Sequence, residues 1–180
     1  MKITLLRHAP VEIRDRWICG CRLEHLLREY DAAPVRLGEA PQGLPSAVTV
    51  YSSPARRAMD TAGWLFPNHP IELLDEAKEA AFPPKLPFPY IGPAGLAFLL
   101  ARCAWLCGYA PNVDDVRAVR DRAEILARKL SEFDRTRGDV VLVTHGYFMC
   151  FLDRALRKDG WVRSGKFAAG HLKPVCYICP

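Results

Sequence analysis

The strongest strand signal in the chain is the run Val140-Val141-Leu142-Val143-Thr144, followed directly by His145-Gly146. Four apolar, mostly β-branched residues in succession predict a strand that is buried on both faces. A second apolar run, Lys2-Ile3-Thr4-Leu5-Leu6, ends in a similar way at Arg7-His8. Both runs therefore predict buried strands that deliver polar side chains into the loops at their carboxyl ends.

Helical patterns and shorter strands alternate with these two runs. Between Asp114 and about Asp134, apolar residues recur every three or four positions, which predicts a long amphipathic helix. Further helices are predicted at Arg22–Tyr30, from Ser53-Pro54 with Ser53 as the N-cap, at Ala94–Gly108 and at Tyr147–Leu156. Further strands are predicted at Ala47–Tyr51, at Ile71–Leu74 and, at the edge of the sheet, at Val175–Ile178. This alternation predicts a single α/β domain over residues 1–180, a three-layer sandwich with a mainly parallel central sheet and helices on both faces.

One segment interrupts the alternation. Residues 81–93 contain five of the fifteen prolines, so no regular element is expected to run through them. Together with the helix that follows, residues 80–110 are interpreted as an insertion in the domain. The insertion is either a lid that gives the substrate an apolar wall, or a hydrophobic loop packed on its own helix, or a homodimer contact.

Composition and charge narrow the classes of function. Half of the 180 residues are hydrophobic and a quarter are charged, which suits a domain with a core of its own. The net charge of +5 comes from scattered basic residues, which favours a small anionic substrate and gives no reason to expect a nucleic-acid partner. The first apolar run is too short for a signal peptide, and no apolar stretch is long enough for stable insertion into a membrane.

The seven cysteines predict reduced thiols in a cytoplasmic protein, since an odd set without an export signal does not form a disulfide framework. Cys103 and Cys107 share a helix face and are predicted to be small core residues. A four-thiolate zinc site is disfavoured, because the two pairs that could form it, Cys19 with Cys21 and Cys176 with Cys179, lie at opposite ends of the chain. We therefore expect no metal and no cofactor.

The residues after three strands suit an anion. Arg7-His8 and His145-Gly146 follow two of them, and Ser52-Ser53 follows the third, with Arg56 and Arg57 soon after. Ligands of open α/β sheets bind beyond the carboxyl ends of the strands, and helix N-termini there favour phosphate. The sequence therefore predicts a phosphate pocket with two candidate nucleophiles, the two histidines. The other histidines, His25, His69 and His171, are predicted to lie at the surface.

Three blocks of the sequence resemble the signature blocks of the histidine phosphatase superfamily, whose fold is phosphoglycerate mutase-like. They are Leu5-Leu6-Arg7-His8, the stretch from Ser52-Ser53-Pro54 through Arg56-Arg57-Ala58, and Val141-Leu142-Val143-Thr144-His145-Gly146. The blocks stand in the family's order and span nearly the whole chain. The resemblance implies that His8 is the nucleophile that becomes phosphohistidine. It also implies that Arg7, Arg57 and His145 bind the phosphoryl oxygens, with Arg57 preferred over Arg56.

The chemistry explains why this set is needed. A neutral imidazole can attack phosphorus if its other ring nitrogen is held by an acceptor. Arginines and a cationic histidine, His145, would stabilise the transferring phosphoryl group. An acid must protonate the leaving oxygen and later deprotonate water. The family places that acid after the third strand, which implies Glu79, with Glu76 as the second choice.

The resemblance implies a cytoplasmic, metal-independent phosphomonoesterase that acts on a small phosphorylated substrate. The first block reads Arg-His-Ala here where the family commonly has Arg-His-Gly, so Ala9 removes a position that could take a positive φ. Within the fold, the alternative is a phosphohistidine protein phosphatase, and a phosphoglycerate mutase is disfavoured by the short chain. A third hypothesis is a non-catalytic phosphate-binding domain.

Overall fold

A computed structural model describes residues 2–12, 16–45 and 48–179, apart from the side chains of residues 133–137. These ranges form eight strands and five α-helices. The strands are β1 (Lys2–Arg7), β2 (Trp17–Cys19), β3 (Thr49–Ser52), β4 (Ile71–Leu73), β5 (Ile91–Pro93), β6 (Val140–Thr144), β7 (Val162–Ser164) and β8 (Val175–Ile178). The α-helices are α1 (Leu23–Ala32), α2 (Arg56–Leu65), α3 (Ala94–Leu106), α4 (Val116–Arg137) and α5 (Gly146–Lys158).

Six of these strands form one sheet in the order β4-β3-β6-β1-β8-β7. The first four are mutually parallel, while β8 runs antiparallel to β1 and β7 antiparallel to β8. The predicted mainly parallel central sheet is thus confirmed. The predicted edge position of Val175–Ile178 is wrong, because β7 covers that strand; with only three residues, Val162–Ser164 is too short to give a clear pattern in the sequence.

The two faces of the sheet take alternate residues of the buried strands. Leu5 and Leu142 pack with α4 and α5 in the largest core cluster, which also contains Trp105. On the other face, Leu6 and Val143 pack with the small residues of α2. Side chains of a strand alternate between faces, so a strand that is apolar throughout requires cover on both sides. The predicted three-layer sandwich is therefore confirmed.

A third core cluster lies outside the main sheet. It joins Ile18 of β2, Leu23 and Leu26 of α1, Leu86, and three alanines of α3, Ala94, Ala97 and Ala101. β2 pairs antiparallel with β5, so a short strand does form at the end of the proline-rich segment. As expected, no helix or strand runs through residues 81–93; only the last three residues form β5, where the missing N–H of Pro93 is tolerated because the strand belongs to a two-stranded ribbon.

The start of α2 differs from its prediction. The helix begins at Arg56 after Ala55, which makes no side-chain cap, and Ser53 is not the N-cap. The Ser53 hydroxyl accepts a hydrogen bond from the Ala55 N–H (3.3 Å) and lies 2.8 Å from Nε2 of His145. The N-cap prediction failed because this hydroxyl contacts the histidine at the end of β6. The strand predicted from Ala47 begins at Thr49, and Ala47 itself lies outside the described residues.

The cysteines are free thiols, and two of them were placed wrongly from the sequence. Cys103 and Cys107 are exposed, because the buried face of α3 is formed by Ala94, Ala97 and Ala101 with Trp105. Among the described residues, no helix has both the length and the hydropathy that a membrane span needs.

Candidate active site

The predicted phosphate-binding residues meet at one edge of the sheet. β3, β6 and β1 are neighbours and parallel, so their carboxyl ends lie side by side. Hydrogen bonds continue just beyond the strands, from the His8 N–H to the Thr144 carbonyl (3.0 Å) and from the Ser53 N–H to the Val143 carbonyl (2.9 Å). The backbone that carries both histidines is therefore fixed by sheet-like bonds.

His8 is buried, with 1% of its surface exposed. Its Nδ1 lies 2.7 Å from the carbonyl oxygen of Ala9. A carbonyl can only accept, so Nδ1 carries the proton and Nε2 carries the lone pair. Burial lowers the pKa of His8 to about 3; the Ala9 carbonyl opposes this, while Arg57, His171 and Arg7 add to the lowering. His8 is therefore a neutral imidazole with one free nucleophilic nitrogen at ordinary pH.

Ala9, the departure from the common Arg-His-Gly block, fits its position. It is fully buried, and its N–H donates to the hydroxyl of Thr61 (3.0 Å). Ala9 is not among the described non-glycine residues with positive φ, which are Asn112 and Leu172. The turn after His8 therefore does not need a glycine.

His145 lies against His8, with the ring centroids 5.1 Å apart. Its Nε2 contacts the Ser53 hydroxyl, and its buried Nδ1 has no hydrogen-bond partner among the described residues. Burial, followed by the charge of Arg57, holds the pKa of His145 well below its usual value. Burial, together with the charges of Arg57, Arg7 and Arg122, therefore opposes a cationic His145 in the absence of a bound anion.

Of the two adjacent arginines, only Arg57 turns inward. Arg56 is exposed and pairs with Asp60, whereas Arg57 is buried and donates from Nη1 to Asp31 (2.6 Å). The guanidinium of Arg57 also lies over the ring of Tyr30, 5.1 Å from its centroid. The geometry thus agrees with the preference for Arg57, and it adds Asp31 and Tyr30, to which no sequence motif pointed.

Arg7 is held at the start of α5. Its Nη1 donates to the carbonyl of Ala169 (3.0 Å). A Cβ atom built on Gly146 would lie 3.0 Å from Nε of Arg7, which explains why a glycine follows His145. Nε of Arg7 and Nε of Arg57 are buried and lack hydrogen-bond partners within the described part of the chain. Both guanidinium groups therefore keep donors for an anion.

Glu79 reaches the same cavity. Its Oε1 accepts hydrogen bonds from the N–H groups of Ala80 and Phe148, both at 2.9 Å. Phe148 belongs to the first turn of α5, so the carboxylate occupies part of that helix N-terminus. Burial raises the pKa of Glu79 despite these two donors and the charge of Arg102. A carboxyl with a raised pKa keeps its proton to a higher pH than an ordinary glutamate, which suits a general acid.

Glu76, the second choice for the acid, lies elsewhere. Its Oε1 pairs with Nζ of Lys129 at 3.1 Å, and it does not line the cavity that contains Glu79. Its pKa is lowered because its own backbone N–H and Lys129 outweigh its partial burial. A carboxylate held in its ionised form by a lysine is poorly suited to act as a general acid.

His171 was predicted at the surface and instead contacts the site. Its Nδ1 lies 2.8 Å from the carbonyl oxygen of His8, and its ring centroid lies 5.2 Å from that of His8. The surface prediction is wrong because the residues before β8 run alongside the end of β1. There the backbone of His171 forms an isolated parallel β-bridge with that of Arg7. No local motif marks this position; the antiparallel pairing of β8 with β1 places it there.

A cavity of about 570 Å³ opens beside these groups. Arg7, Arg57, Glu79 and Gly146 line it together with apolar and aromatic side chains. We call Arg7, His8, Arg57, Glu79 and His145 the phosphoryl site. We call Tyr30, Phe82, Phe98 and Tyr147 the aromatic wall. Small-molecule binding sites of this volume usually combine a few polar groups with an apolar lining, and this cavity has both.

The described residues contain no group of three or more His, Cys, Asp or Glu side chains placed to hold a metal ion.

The profile of the histidine phosphatase superfamily (branch 1) matches residues 3–168. The chain belongs to this superfamily. The matched range includes all five residues of the phosphoryl site, and it ends just before His171. Among curated protein sequences, none matches this chain significantly.

Solved structures of other superfamily members share the fold. An Escherichia coli protein described as an α-ribazole-5′-P phosphatase is 18% identical, with a TM-score of 0.55, over 86% of this chain and 79% of that one. Phosphoserine phosphatase of Entamoeba histolytica, in complex with 3-phosphoglyceric acid, is 15% identical, with a TM-score of 0.56, over 98% and 90%. A mycobacterial glucosyl-3-phosphoglycerate phosphatase is 21% identical, with a TM-score of 0.53, over 87% and 79%. At these identities the likeness shows the phosphoglycerate mutase-like fold.

Proposed function

We propose that this protein is a phosphomonoesterase that hydrolyses a small phosphate ester through a phosphohistidine at His8. The observation that carries the proposal is the state of His8: buried, neutral, and tied through Nδ1 to the Ala9 carbonyl, beside Arg7 and Arg57. This arrangement leaves Nε2 as a nucleophile next to groups that bind phosphoryl oxygens. The phosphatase names of the structural relatives support the same class of reaction.

The reaction takes two steps. In the first, the lone pair on Nε2 of His8 forms a bond to phosphorus, the bond from phosphorus to the ester oxygen breaks, and Glu79 donates its proton to that oxygen. In the second, the Glu79 carboxylate takes a proton from water, whose oxygen attacks phosphorus and breaks the N–P bond. Phosphate leaves, and His8 and the protonated Glu79 are restored.

Three groups stabilise the transferring phosphoryl group. Arg7 and Arg57 offer their unpaired Nε–H groups and remaining guanidinium donors. His145 lies beside His8 with a buried Nδ1 that has no partner among the described residues. A bound phosphoryl dianion favours protonation of a neighbouring imidazole, so His145 becomes a donor when the substrate arrives.

We also propose that residues 80–110 act as the lid of this site. Phe82 and Phe98 line the cavity, and Arg102 donates from Nη2 to the carbonyl of Ala80 (2.8 Å), directly after Glu79. A homodimer contact stays a prediction; the exposed Leu96, Leu99 and Leu106 of α3 are the side chains that would form it. The free thiols support a cytoplasmic site of action, which is likewise a prediction.

The test is hydrolysis of p-nitrophenyl phosphate in EDTA by the wild type, His8→Ala and His25→Ala. His25 is exposed and serves as the matched control. We expect turnover in the wild type and the control, and a loss of at least a thousandfold in His8→Ala. Rapid quenching should also trap an acid-labile phosphoryl group on the wild type and on His25→Ala, but not on His8→Ala.

Each alternative has its own outcome. Normal turnover by His8→Ala would disprove the mechanism. Transfer from a phosphohistidine-bearing protein without hydrolysis of small esters would indicate the protein phosphatase. Tight phosphate binding without any turnover would indicate a binding domain.

A further inference from the structure

The cavity is larger than a phosphoryl group requires, and the extra space has apolar walls. Its volume of about 570 Å³ suits a whole small molecule. Leu27 and Tyr30 of α1, Phe98 of α3, and Phe82 line it beside the arginines of the phosphoryl site. These side chains are only partly buried by the protein, so apolar surface remains exposed within the cavity.

The aromatic wall is continuous with the phosphoryl site. The guanidinium of Arg57 lies over the ring of Tyr30. The ring centroid of Phe98 lies 6.2 Å from that of Tyr30 and 5.4 Å from that of Phe82. Phe82 and Tyr147 then both contact the guanidinium of Arg102, with ring centroids at 4.0 Å and 4.1 Å. A molecule whose phosphoryl group is held by Arg57 therefore places its remaining atoms against these rings.

The charges of the cavity argue against a substrate with a carboxylate. Arg102 also keeps a buried Nε without a hydrogen-bond partner among the described residues. However, it is 2% exposed, both of its Nη atoms donate to the carbonyls of Ala80 and Ala81, and aromatic rings cover its guanidinium, so it is poorly placed to bind a second anion. Asp31 lines the cavity with a largely exposed carboxylate. A carboxylate on the substrate would meet this negative charge without a cation reserved for it.

We propose that the natural substrate is a phosphate monoester whose alcohol is an apolar body, aromatic or alkyl, without a carboxylate. This inference rests on the proposed phosphatase function and names its substrate class. It separates the chain from relatives described with phosphoserine, phosphoglycerate and glucosyl-phosphoglycerate.

The first experiment uses n-alkyl phosphates from ethyl to hexyl, whose leaving groups have nearly the same basicity. Only the length of the alkyl chain changes along this series. Differences in kcat/KM therefore report burial of the chain and not the reactivity of the ester. We expect kcat/KM to rise by about fourfold for each methylene group until the cavity is filled. O-phosphoserine and 3-phosphoglycerate should be hydrolysed no faster than ethyl phosphate. A kcat/KM that does not change with chain length, or that is highest for the carboxylates, would overturn the proposal.

A pair of variants on α3 assigns the effect to the aromatic wall. Phe98 lines the cavity, whereas the neighbouring Leu99 is exposed on the outer face of the same helix. We expect Phe98→Ala to reduce the gain per methylene to about twofold or less, and Leu99→Ala to keep the wild-type gain. If both variants keep it, the apolar chain binds elsewhere and the proposal fails.

Binding of n-alkylphosphonates to the wild type, measured by calorimetry, distinguishes failure of this proposal from failure of the proposed function. Phosphonates have no ester bond to cleave, so their affinity reports the cavity alone. Affinity that rises with chain length in a protein without phosphatase activity would uphold the apolar site and reject the enzyme. Turnover of esters with phosphonate affinity independent of chain length would uphold the enzyme and reject the apolar site.

Discussion

Arg7, Arg57 and Glu79 of the phosphoryl site line the same cavity as the aromatic wall, but the two regions are built in different ways. Arg7, His8 and His145 lie at or just after strand ends, and Arg57 lies in the first turn of α2. Backbone groups hold Arg7, His8 and Glu79, whereas the side chains of Asp31 and Ser53 hold Arg57 and His145. The aromatic wall comes from α1, α3, α5 and the proline-rich segment, and its members contact one another through ring faces and edges. One region is fixed by the sheet, whereas the other is fixed by side-chain packing.

This difference separates chemistry from the choice of substrate. A group fixed by backbone hydrogen bonds cannot be replaced without loss of the bond that orients it, so changes there should affect every substrate alike. A packed ring can be exchanged for another apolar side chain at modest cost, so changes there should alter the order of preference among substrates.

After loss of the nucleophile itself, the largest expected effect is that of Glu79→Gln. The amide cannot protonate the leaving oxygen, so kcat/KM for alkyl phosphates should fall by about 10²- to 10⁴-fold. p-Nitrophenolate leaves without a proton, so the rate of phosphohistidine formation from p-nitrophenyl phosphate should fall much less in this variant. Burst kinetics would measure that rate. In the wild type, kcat/KM for alkyl esters should fall as pH rises through the raised pKa of Glu79, because the acid is then ionised.

The matched control is Glu76→Gln, which makes the same chemical change on a carboxylate outside the cavity. We expect it to keep kcat/KM and the pH profile of the wild type. An equal loss in both variants would mean that the acid is not Glu79 and that both changes act through the backbone between them.

The second prediction concerns His171, which lies between the end of β1 and the start of β8. Its removal in His171→Ala deprives the His8 carbonyl of a partner and should lower kcat/KM by about tenfold for all esters. His171→Gln retains a donor and should recover most of the loss. A change in substrate preference instead of a uniform loss would mean that His171 acts in substrate selection and not by positioning His8.

His171 also illustrates what the sequence could and could not predict. The strands β1 and β6 and the groups Arg7-His8 and His145-Gly146 were found because a buried strand followed by polar residues is a local pattern. The position of His171 depends on β8, whose antiparallel pairing with β1 joins residues far apart in the chain. Its neighbouring residues carry no trace of that pairing.

The same reasoning applies to the helix starts and to the aromatic wall. Ser53-Pro54 is typical of a helix N-terminus, but its hydroxyl contacts His145, and α2 begins at Arg56. Tyr30 and Phe98 lie on helices whose apolar faces were predicted, yet which of those apolar residues line a cavity depends on how α1 and α3 pack. Local patterns predicted the elements, and tertiary packing decided the roles of individual side chains.

The third prediction tests the burial of the phosphoryl site through protein stability. An unfolded histidine has a pKa of about 6.5, and burial lowers that of His8 to about 3. Between these values the unfolded chain binds a proton that the folded chain does not, so the free energy of unfolding decreases as pH falls. Well below pH 6.5, His8 contributes about 1 kcal/mol per pH unit to the fall in the free energy of unfolding. His8→Ala should remove this contribution, so the free energy of unfolding of the variant should depend less on pH.

Urea unfolding of the wild type and His8→Ala at pH 6 and pH 4 measures this difference. The cavity left by the alanine lowers stability by the same amount at both values, so only the dependence on pH reports the titration. Identical dependence in the two proteins would mean that His8 is not buried as a neutral imidazole.

The smallest expected effect is that of Asp31→Asn, at the boundary between the two regions. Asp31 pairs with Arg57 of the phosphoryl site while its exposed carboxylate borders the cavity near the aromatic wall. The amide can still accept from Arg57, so kcat/KM for ethyl phosphate should change by less than about threefold. For 3-phosphoglycerate, KM should fall by about two- to fivefold, because a negative charge facing the substrate carboxylate has been removed. An equal change for both substrates would place Asp31 within the phosphoryl site alone, and the boundary between chemistry and selection would then lie beyond it, at Tyr30.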